Sequence, residues 1–270
     1  MLSSKLAALG TDTPIVTTWH EVWRDYWDGY LGKLAPFGKA IEHLTARVPQ
    51  YPIAVSGITA DRLAEIGPSR DRIKVVPNGI DVEKIRNAPL PEEGYDVLFA
   101  GRLIADKNVA LLLDAFDSIA ERHDATLGVI GDGPEIDRLQ KQTAGLTHAD
   151  QIEFLGFLDD YEDVLGHMRA AQVFASPSTR EGFGITFAEA MAADCTVIAA
   201  KHPESAASEV IGDAGYLVEP TVDAIAGQLD AALNGDRPST DPLERAGKYD
   251  WDAVAEQAET VYQRAIDGRW

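Results

Sequence analysis

Residues 176–198 read SPSTREGFGITFAEAMAADCTVI. Pro177 has no amide hydrogen to give a sheet, so a strand over residues 172–176 is predicted to end there. Gly182-Phe183-Gly184 does not suit a regular helix, whereas residues 185–193 are rich in Ala, Met, Phe and Glu, which do. The pattern is strand, turn, helix, with glycines that let the backbone come close to a ligand. Free amides and the positive end of the helix dipole favour a phosphate over the helix N-terminus. Glu181 falls on the loop at the mouth, and Glu189 lies about one turn inside the helix. An ionised carboxylate there only accepts, so it can take hydrogen bonds from ribose or sugar hydroxyls. The same spacing also fits an acidic loop residue followed by a helix-surface glutamate.

On either side the chain alternates. Strands are predicted over residues 96–100, 126–130 and 152–155, helices over 107–122, 135–142 and 161–171, and further strands over 197–199 and 216–218. Such alternation implies parallel βαβ units in a doubly wound sheet, with ligands at the C-terminal ends of the strands. Upstream, a short helical start precedes strands over residues 14–18, 53–56 and 73–77. A helix from Thr59 stops at Gly67-Pro68, and Asn78-Gly79 marks a turn. Over residues 21–48 a broken helical region carries Trp23, Tyr26, Trp27, Tyr30 and Leu31 in one stripe, interrupted by Gly29, Gly32 and Pro36. The stripe is expected first as core, and otherwise as an acceptor pocket or membrane-facing edge. A last helix is predicted over residues 251–266.

Chemistry-bearing residues fall at strand ends. Gly101 permits close backbone approach, and Arg102 and Lys107 bring two cations to one loop. A lysine in the first turn of a helix opposes the dipole preference, which favours a functional role over a merely solvated one. Gly131-Asp132-Gly133-Pro134 lacks the third glycine of a dinucleotide fingerprint, and Pro134 suits a first helical residue. Gly156-Phe157-Leu158 follows a strand at the same edge. His20 follows the strand over residues 14–18, and taken alone it is read first as a cap of the following helix or a partner for Glu21.

The sequences PSTREGFG with EAMAA, GRLIADK, and PNGID over residues 77–81 resemble the motifs of retaining, nucleotide-sugar-dependent glycosyltransferases of family 4, whose signature is E-x7-E. The resemblance runs in order from about His20 to the C-terminus. It implies an α/β protein of GT-B type. Residues 83–250 would form a complete, doubly wound, Rossmann-like C-terminal domain that binds the nucleotide sugar. Residues 1–82 would form a partial Rossmann-like, acceptor-side N-terminal domain, and residues 251–270 a helix packing back on it. The implied activity is transfer of a sugar from a nucleotide-diphosphate donor to an acceptor with retention of configuration. Carried over with it are the catalytic residues His20, Arg102, Lys107 and Glu181. The donor contacts carried over are Gly101, Arg102, Lys107, Gly156, Phe157, Glu181, Gly182, Phe183, Gly184, Ile185 and Glu189. No metal and no other cofactor is expected, because Arg102 and Lys107 would carry the growing negative charge. The acceptor stays open among glycan, lipid and small molecule. Two departures from the family pattern bear on the donor-sugar contacts. Ala193-Asp194-Cys195-Thr196 stands where Ala-Gly-x-Pro is usual, with Asp194 expected in a left-handed conformation at some strain. The loop over residues 201–208 lacks the usual glycines. Two alternatives compete with transfer: a nucleotide-sugar epimerase of similar fold, or a non-catalytic donor-binding half that needs a partner chain. The family's opening strands and glycine-rich loop have no counterpart ahead of His20, so residues 1–270 alone are expected to transfer sugar poorly. An upstream extension or a partner chain would supply those elements.

The 270 residues are 45% hydrophobic, enough for a sizeable core. Apolar runs fall short of a membrane span and no signal peptide is visible, which predicts a cytoplasmic protein, with peripheral attachment at the inner membrane face left open. Cys195 is the single cysteine, so neither an internal disulfide nor a cysteine-based metal site can form. With 44 acidic against 24 basic residues the net charge is −20, which repels nucleic acid. The simplest cause of such acidity is solubility in a salt-rich cytoplasm, where screening weakens self-repulsion. The melting temperature is therefore expected to climb steeply from dilute buffer to molar potassium chloride. A flat profile in differential scanning calorimetry would exclude salt adaptation.

Overall fold

The computed structural model describes residues 11–270, which divide into two compact units. The predicted helical start lies largely outside the described residues. Met1–Gly79 and Asp252–Trp270 make one unit and Ile80–Trp251 the other. Among the described residues no helix is long and apolar enough to cross a membrane.

The first unit contains a three-stranded parallel sheet of β1 (Val16–Trp19), β2 (Tyr51–Ala54) and β3 (Lys74–Val75), in that order. Helices α1 (Tyr26–Leu31) and α2 (Ala35–Arg47) connect β1 to β2, and α3 (Gly57–Ile66) leads toward β3. The Ser56 hydroxyl caps α3 by accepting from the Thr59 amide at 3.0 Å. Val22, Ala54, Leu63 and Ile73 build one core, while Ile53 and Val76 pack with Val254 and Val261 of the C-terminal helix Trp251–Ile266. Two expectations for this region are corrected. Pro36 does not interrupt a helix but sits in the first turn of α2, where its missing amide hydrogen costs nothing. The aromatic stripe is not core: α1 has no buried residue, and Trp23 instead stacks with Tyr26, Trp27 and Tyr30 at ring distances of 4.6–5.4 Å. Helical period places residues on one face but does not say what covers that face. Leu34, Phe37, Ile41 and Leu44 continue as an exposed apolar row.

The second unit is a six-stranded parallel sheet: β4 (Val97–Ala100), β5 (Leu127–Ile130), β6 (Ile152–Gly156), β7 (Val173–Ser176), β8 (Thr196–Ala200) and β9 (Tyr216–Val218). Its order is β6-β5-β4-β7-β8-β9. Strands β4, β5, β7 and β8 are buried throughout, as strands covered on both faces must be. Val97, Phe99, Val173 and Ala175 point into a core with Leu112 and Phe116 of α5 (Val109–His123) and Ile225 and Leu229 of α10 (Val222–Leu233). The alternating positions face the other way, where Phe174 meets Phe187 of α8 (Ile185–Ala192) edge-on at 6.4 Å. Each such aromatic, once buried, contributes roughly 1.5–3 kcal/mol. Between these come α4 (Val82–Asn87), α6 (Ile136–Thr143), α7 (Tyr161–Ala170) and α9 (Ala207–Ile211), and α11 (Pro242–Ala246) closes the unit.

The sheet's direction of growth reverses between β4 and β7. Their pairing is limited to Val97 with Val173 and Leu98 with Phe174, so beyond these residues the strands part. This is the switch point at which open α/β sheets form a ligand crevice. The loops leaving β4, β5 and β6 stay joined: Gly101 N–H donates to Ile130 O at 3.0 Å, Gly131 N–H to Gly156 O at 2.8 Å, and Leu103 N–H to Asp132 O at 2.9 Å. Gly131 has φ +129°, and a Cβ there would lie 1.9 Å from Gly101 O. Gly131→Ala should therefore destabilise by about 3 kcal/mol or more, combining backbone strain with a clash that cannot relax. The check is the urea midpoint at constant m-value; wild-type stability in this variant would contradict the close approach.

Candidate functional site

The segment after β4 is a loop, a 3-10 turn over Ala105–Lys107, and then Asn108 in the left-handed region at φ 50°. Lys107 thus does not open a helix, contrary to the sequence expectation; α5 begins only after Asn108. The dipole preference has no bearing on it. What holds Lys107 is Glu181: Nζ and Oε1 are 2.5 Å apart, with the side chains 19% and 10% exposed. Arg102 is exposed and has no ion-pair partner among the described residues, so its guanidinium is available to a ligand. Buried Leu103 anchors the same loop, its carbonyl accepting from the Glu135 N–H at 3.0 Å.

A clamp holds the β4 and β7 loops together across the crevice. The Asn108 amide donates to Pro177 O at 3.1 Å and Thr179 Oγ1 at 3.3 Å, and the Thr179 N–H donates to Asp106 O at 2.9 Å. Glu181 is fixed from its other side, where its N–H donates to Glu204 O at 3.2 Å and its carbonyl accepts from the Ala206 N–H at 3.0 Å. The loop over residues 201–208, lacking the family's glycines, nevertheless runs parallel to Glu181 through a bridge at Ser205. Arg180 pairs with Glu204 at 2.9 Å.

Gly184, at φ +83°, turns the chain into α8, and a Cβ there would lie 2.5 Å from the Phe187 ring. No side chain caps this helix; the Phe187 N–H donates to Gly184 O at 3.0 Å, which leaves the Ile185 and Thr186 amides for an anion. Ile185 is partly exposed at the helix start, whereas the Phe183 ring is buried edge-on against Tyr249 at 5.4 Å. Phe183 can reach a donor through its backbone alone, as can Gly182. Helix α8 is buried from Phe187 onward and includes Glu189, which is 5% exposed. The Tyr161 hydroxyl donates to Glu189 Oε2 at 2.7 Å. Burial pushes the Glu189 carboxyl up to about 7, opposed by that hydrogen bond. Burial and the neighbouring carboxylate together push the Tyr161 hydroxyl well above its ordinary value.

Beside these groups a cavity of about 350 Å³ opens at the ends of β4, β5 and β6, lined by Gly101, Arg102, Gly131, Phe157, Tyr161 and Thr186 among others. Gly156, at φ +71°, turns the chain at its rim, and Phe157 stands 74% exposed there. The structure therefore gathers Gly101, Arg102 and Phe157 around one cavity, with Gly156 directly before Phe157 in the chain. Lys107, Glu181, Gly182, Gly184, Ile185 and Glu189 follow at the adjoining loop and helix. His20 lies in the other unit, exposed at a bend directly after β1. Asp194 takes the left-handed conformation expected of it, at φ 66°, and pairs with Arg237. Pro134 stands two residues ahead of α6 instead of opening it. Among the described residues no group of three or more His, Cys, Asp or Glu side chains could hold a metal ion.

Sequence reasoning missed Asn108, Thr179 and Tyr161. Asn108 carried a weak signal, since asparagine tolerates the left-handed region ahead of a helix. Nothing local marked Tyr161 as more than the first residue of α7.

Parallel strands in this order and a crevice at the switch point define an α/β protein of GT-B architecture. The chain belongs to the Glycosyl transferases group 1 family, whose model matches residues 81–249, and the model of Glycosyltransferase Family 4 matches residues 1–84. A phosphatidyl-myo-inositol mannosyltransferase of Mycolicibacterium smegmatis is 36% identical over 200 residues, covering 70% of this chain and 51% of its own. The chain thus spans about half the length of that relative. An uncharacterized glycosyltransferase of Methanocaldococcus jannaschii is 30% identical over 254 residues, covering 84% and 63%. The fold matches that of Anabaena HepE, crystallised with UDP and glucose, at a TM-score of 0.78 and 21% identity, over 97% of this chain and 75% of that one. Sucrose-phosphate synthase of Thermosynechococcus elongatus matches at 0.73 and 21%, over 99% and 71%.

The raised Glu189 carboxyl has a consequence for stability. Its folded value of about 7 lies above the ordinary 4.5, so the folded state binds this proton more tightly than the unfolded state does. The contribution is fully present below pH 4.5 and is lost as pH rises through about 7. The gap corresponds to on the order of 3 kcal/mol. Denaturation of wild type and Glu189→Gln at pH 4.5 and pH 8 should reveal a loss with rising pH that the variant lacks. Parallel pH profiles for the two proteins would contradict this assignment.

Proposed function

We propose that this chain binds a nucleoside-diphosphate sugar in the crevice between β4 and β7 and transfers the sugar to an acceptor with retention of configuration. The observation that carries the proposal is the convergence of Arg102, Lys107 and the uncapped start of α8 on one crevice beside a mainly apolar cavity. The diphosphate would lie against Arg102, Lys107 and the first amides of α8. These groups are set in place before the reaction and can stabilise charge as it develops on the leaving diphosphate. The base would enter the cavity between the Gly101 and Gly156-Phe157 loops, contacted through backbone groups. Glu189 would accept from ribose hydroxyls. Glu181, held by Lys107, would face the donor sugar, and Gly182, Gly184 and Ile185 would offer backbone amides nearby. HepE, a protein of the same fold, is crystallised with UDP and glucose, which supports a nucleotide donor.

In the same proposal residues 83–250 form the donor-binding part, residues 1–82 the acceptor side with His20, and residues 251–270 the helix returning to it. A lipid-bearing acceptor at a membrane surface is favoured by the exposed row Leu34, Phe37, Ile41 and Leu44, and by relatives named for mannosyl transfer to phosphatidyl-myo-inositol and for synthesis of glucosyldiacylglycerol.

The test is calorimetry with UDP and GDP, followed by a screen of donor sugars against lipid and soluble acceptors. A charge-assisted contact is worth about 1.5–3 kcal/mol, so Arg102→Ala and Lys107→Ala should each weaken binding roughly ten- to hundredfold. Circular dichroism should show the Arg102 variant folded as wild type. Unchanged affinity in both variants would remove the diphosphate from this loop.

A further inference from the structure

Tyr161 is the first residue of α7, set there by an N-cap in which Asp160 accepts from the Glu162 amide at 2.9 Å. Its ring lines the cavity, half-exposed, while its hydroxyl reaches inward to Glu189 Oε2 at 2.7 Å. Glu189 is 5% exposed, and Tyr161 is the one side chain that donates to it among the described residues. A carboxylate offers about four acceptor sites. With Tyr161 as the one side-chain donor, Oε1 and part of Oε2 keep acceptor capacity for further donors. A ligand with two adjacent hydroxyls entering beside Tyr161, whose ring lines the cavity, would satisfy them.

We propose that Tyr161 is a positioning residue that fixes the Glu189 carboxylate toward a ribose cis-diol, making the site selective for ribonucleotides over nucleotides lacking those hydroxyls. The proposal rests on the assignment of Glu189 to the ribose made above, and it adds the residue that aims that carboxylate. Without the Tyr161 hydroxyl the side chain keeps its place on α8 but loses the bond that selects its rotamer. The penalty then falls on ligands that use the carboxylate, and spares those that do not.

The test compares UDP and GDP with their 2′,3′-dideoxy counterparts by calorimetry on wild type, Tyr161→Phe and Glu189→Gln. At pH 8, where Glu189 is mostly ionised, wild type should prefer the ribonucleotide by about tenfold or more, as expected for a hydrogen-bonded contact to a charged group. Tyr161→Phe should lose most of that preference through weaker ribonucleotide binding, with dideoxynucleotide affinity unchanged. Glu189→Gln should lose it as well. The dideoxynucleotide affinity doubles as the measure of an intact site: an equal fall for both ligands would make Tyr161 merely structural and overturn the proposal. It is overturned equally if Tyr161→Phe keeps the preference, or if it binds ribonucleotide more tightly because the hydroxyl had been occupying the ribose position. A wild type that binds nucleotide without any ribose preference would refute the Glu189 assignment and this proposal with it. A wild type that binds neither ligand would refute the nucleotide site itself.

Discussion

Strands β4 and β7 are neighbours for two residue pairs and then separate. The separation follows from topology: β5 and β6 extend the sheet on one side of β4, and β8 and β9 extend it beyond β7, so no connection bridges the gap at their C-terminal ends. A gap of this kind leaves backbone polar groups of two loops without sheet partners, and those groups must be satisfied some other way. Here they are. The β4 loop continues the ladder with the β5 loop, and Asn108 and Thr179 tie the β4 segment to the β7 segment. The crevice is thus a fixed opening in a tied framework, which is the condition for aiming charged groups at a ligand without reorganisation.

On a chain of net charge −20, cations near the crevice have to work against a negative surroundings. Two different environments result. Lys107 is matched at once by Glu181, at 2.5 Å and with little solvent access, so it presents a neutralised pair whose geometry is defined. Arg102 is exposed and has no ion-pair partner among the described residues. The two glutamates, eight positions apart in sequence, separate in the same way. Glu181 is held by a cation, while Glu189 is desolvated, which raises its proton affinity against the opposing hydrogen bond from Tyr161. Environment, not residue type, sets the two carboxylates apart.

Much of the fold could be read locally. The alternation of strand and helix over residues 96–218, the turn at Gly182-Phe183-Gly184 and the helix start at Ile185 follow from hydrophobic period and from glycine and proline, which act on their immediate neighbours. The position of GRLIADK after a strand was legible for the same reason, as was the left-handed Asp194. Sequence could not supply the contacts that join distant segments. Lys107 meets Glu181 across 74 positions and Tyr161 meets Glu189 across 28, and both pairs exist only because parallel strands carry their following loops to one edge. Period placed Trp23, Trp27 and Tyr30 on one face but was silent on whether another element would cover it, and in the first unit none of the described residues does so for Tyr30. Local chemistry sets which elements form and where they stop, whereas strand order sets which of their ends meet, because pairing between strands is a long-range choice that no single segment encodes.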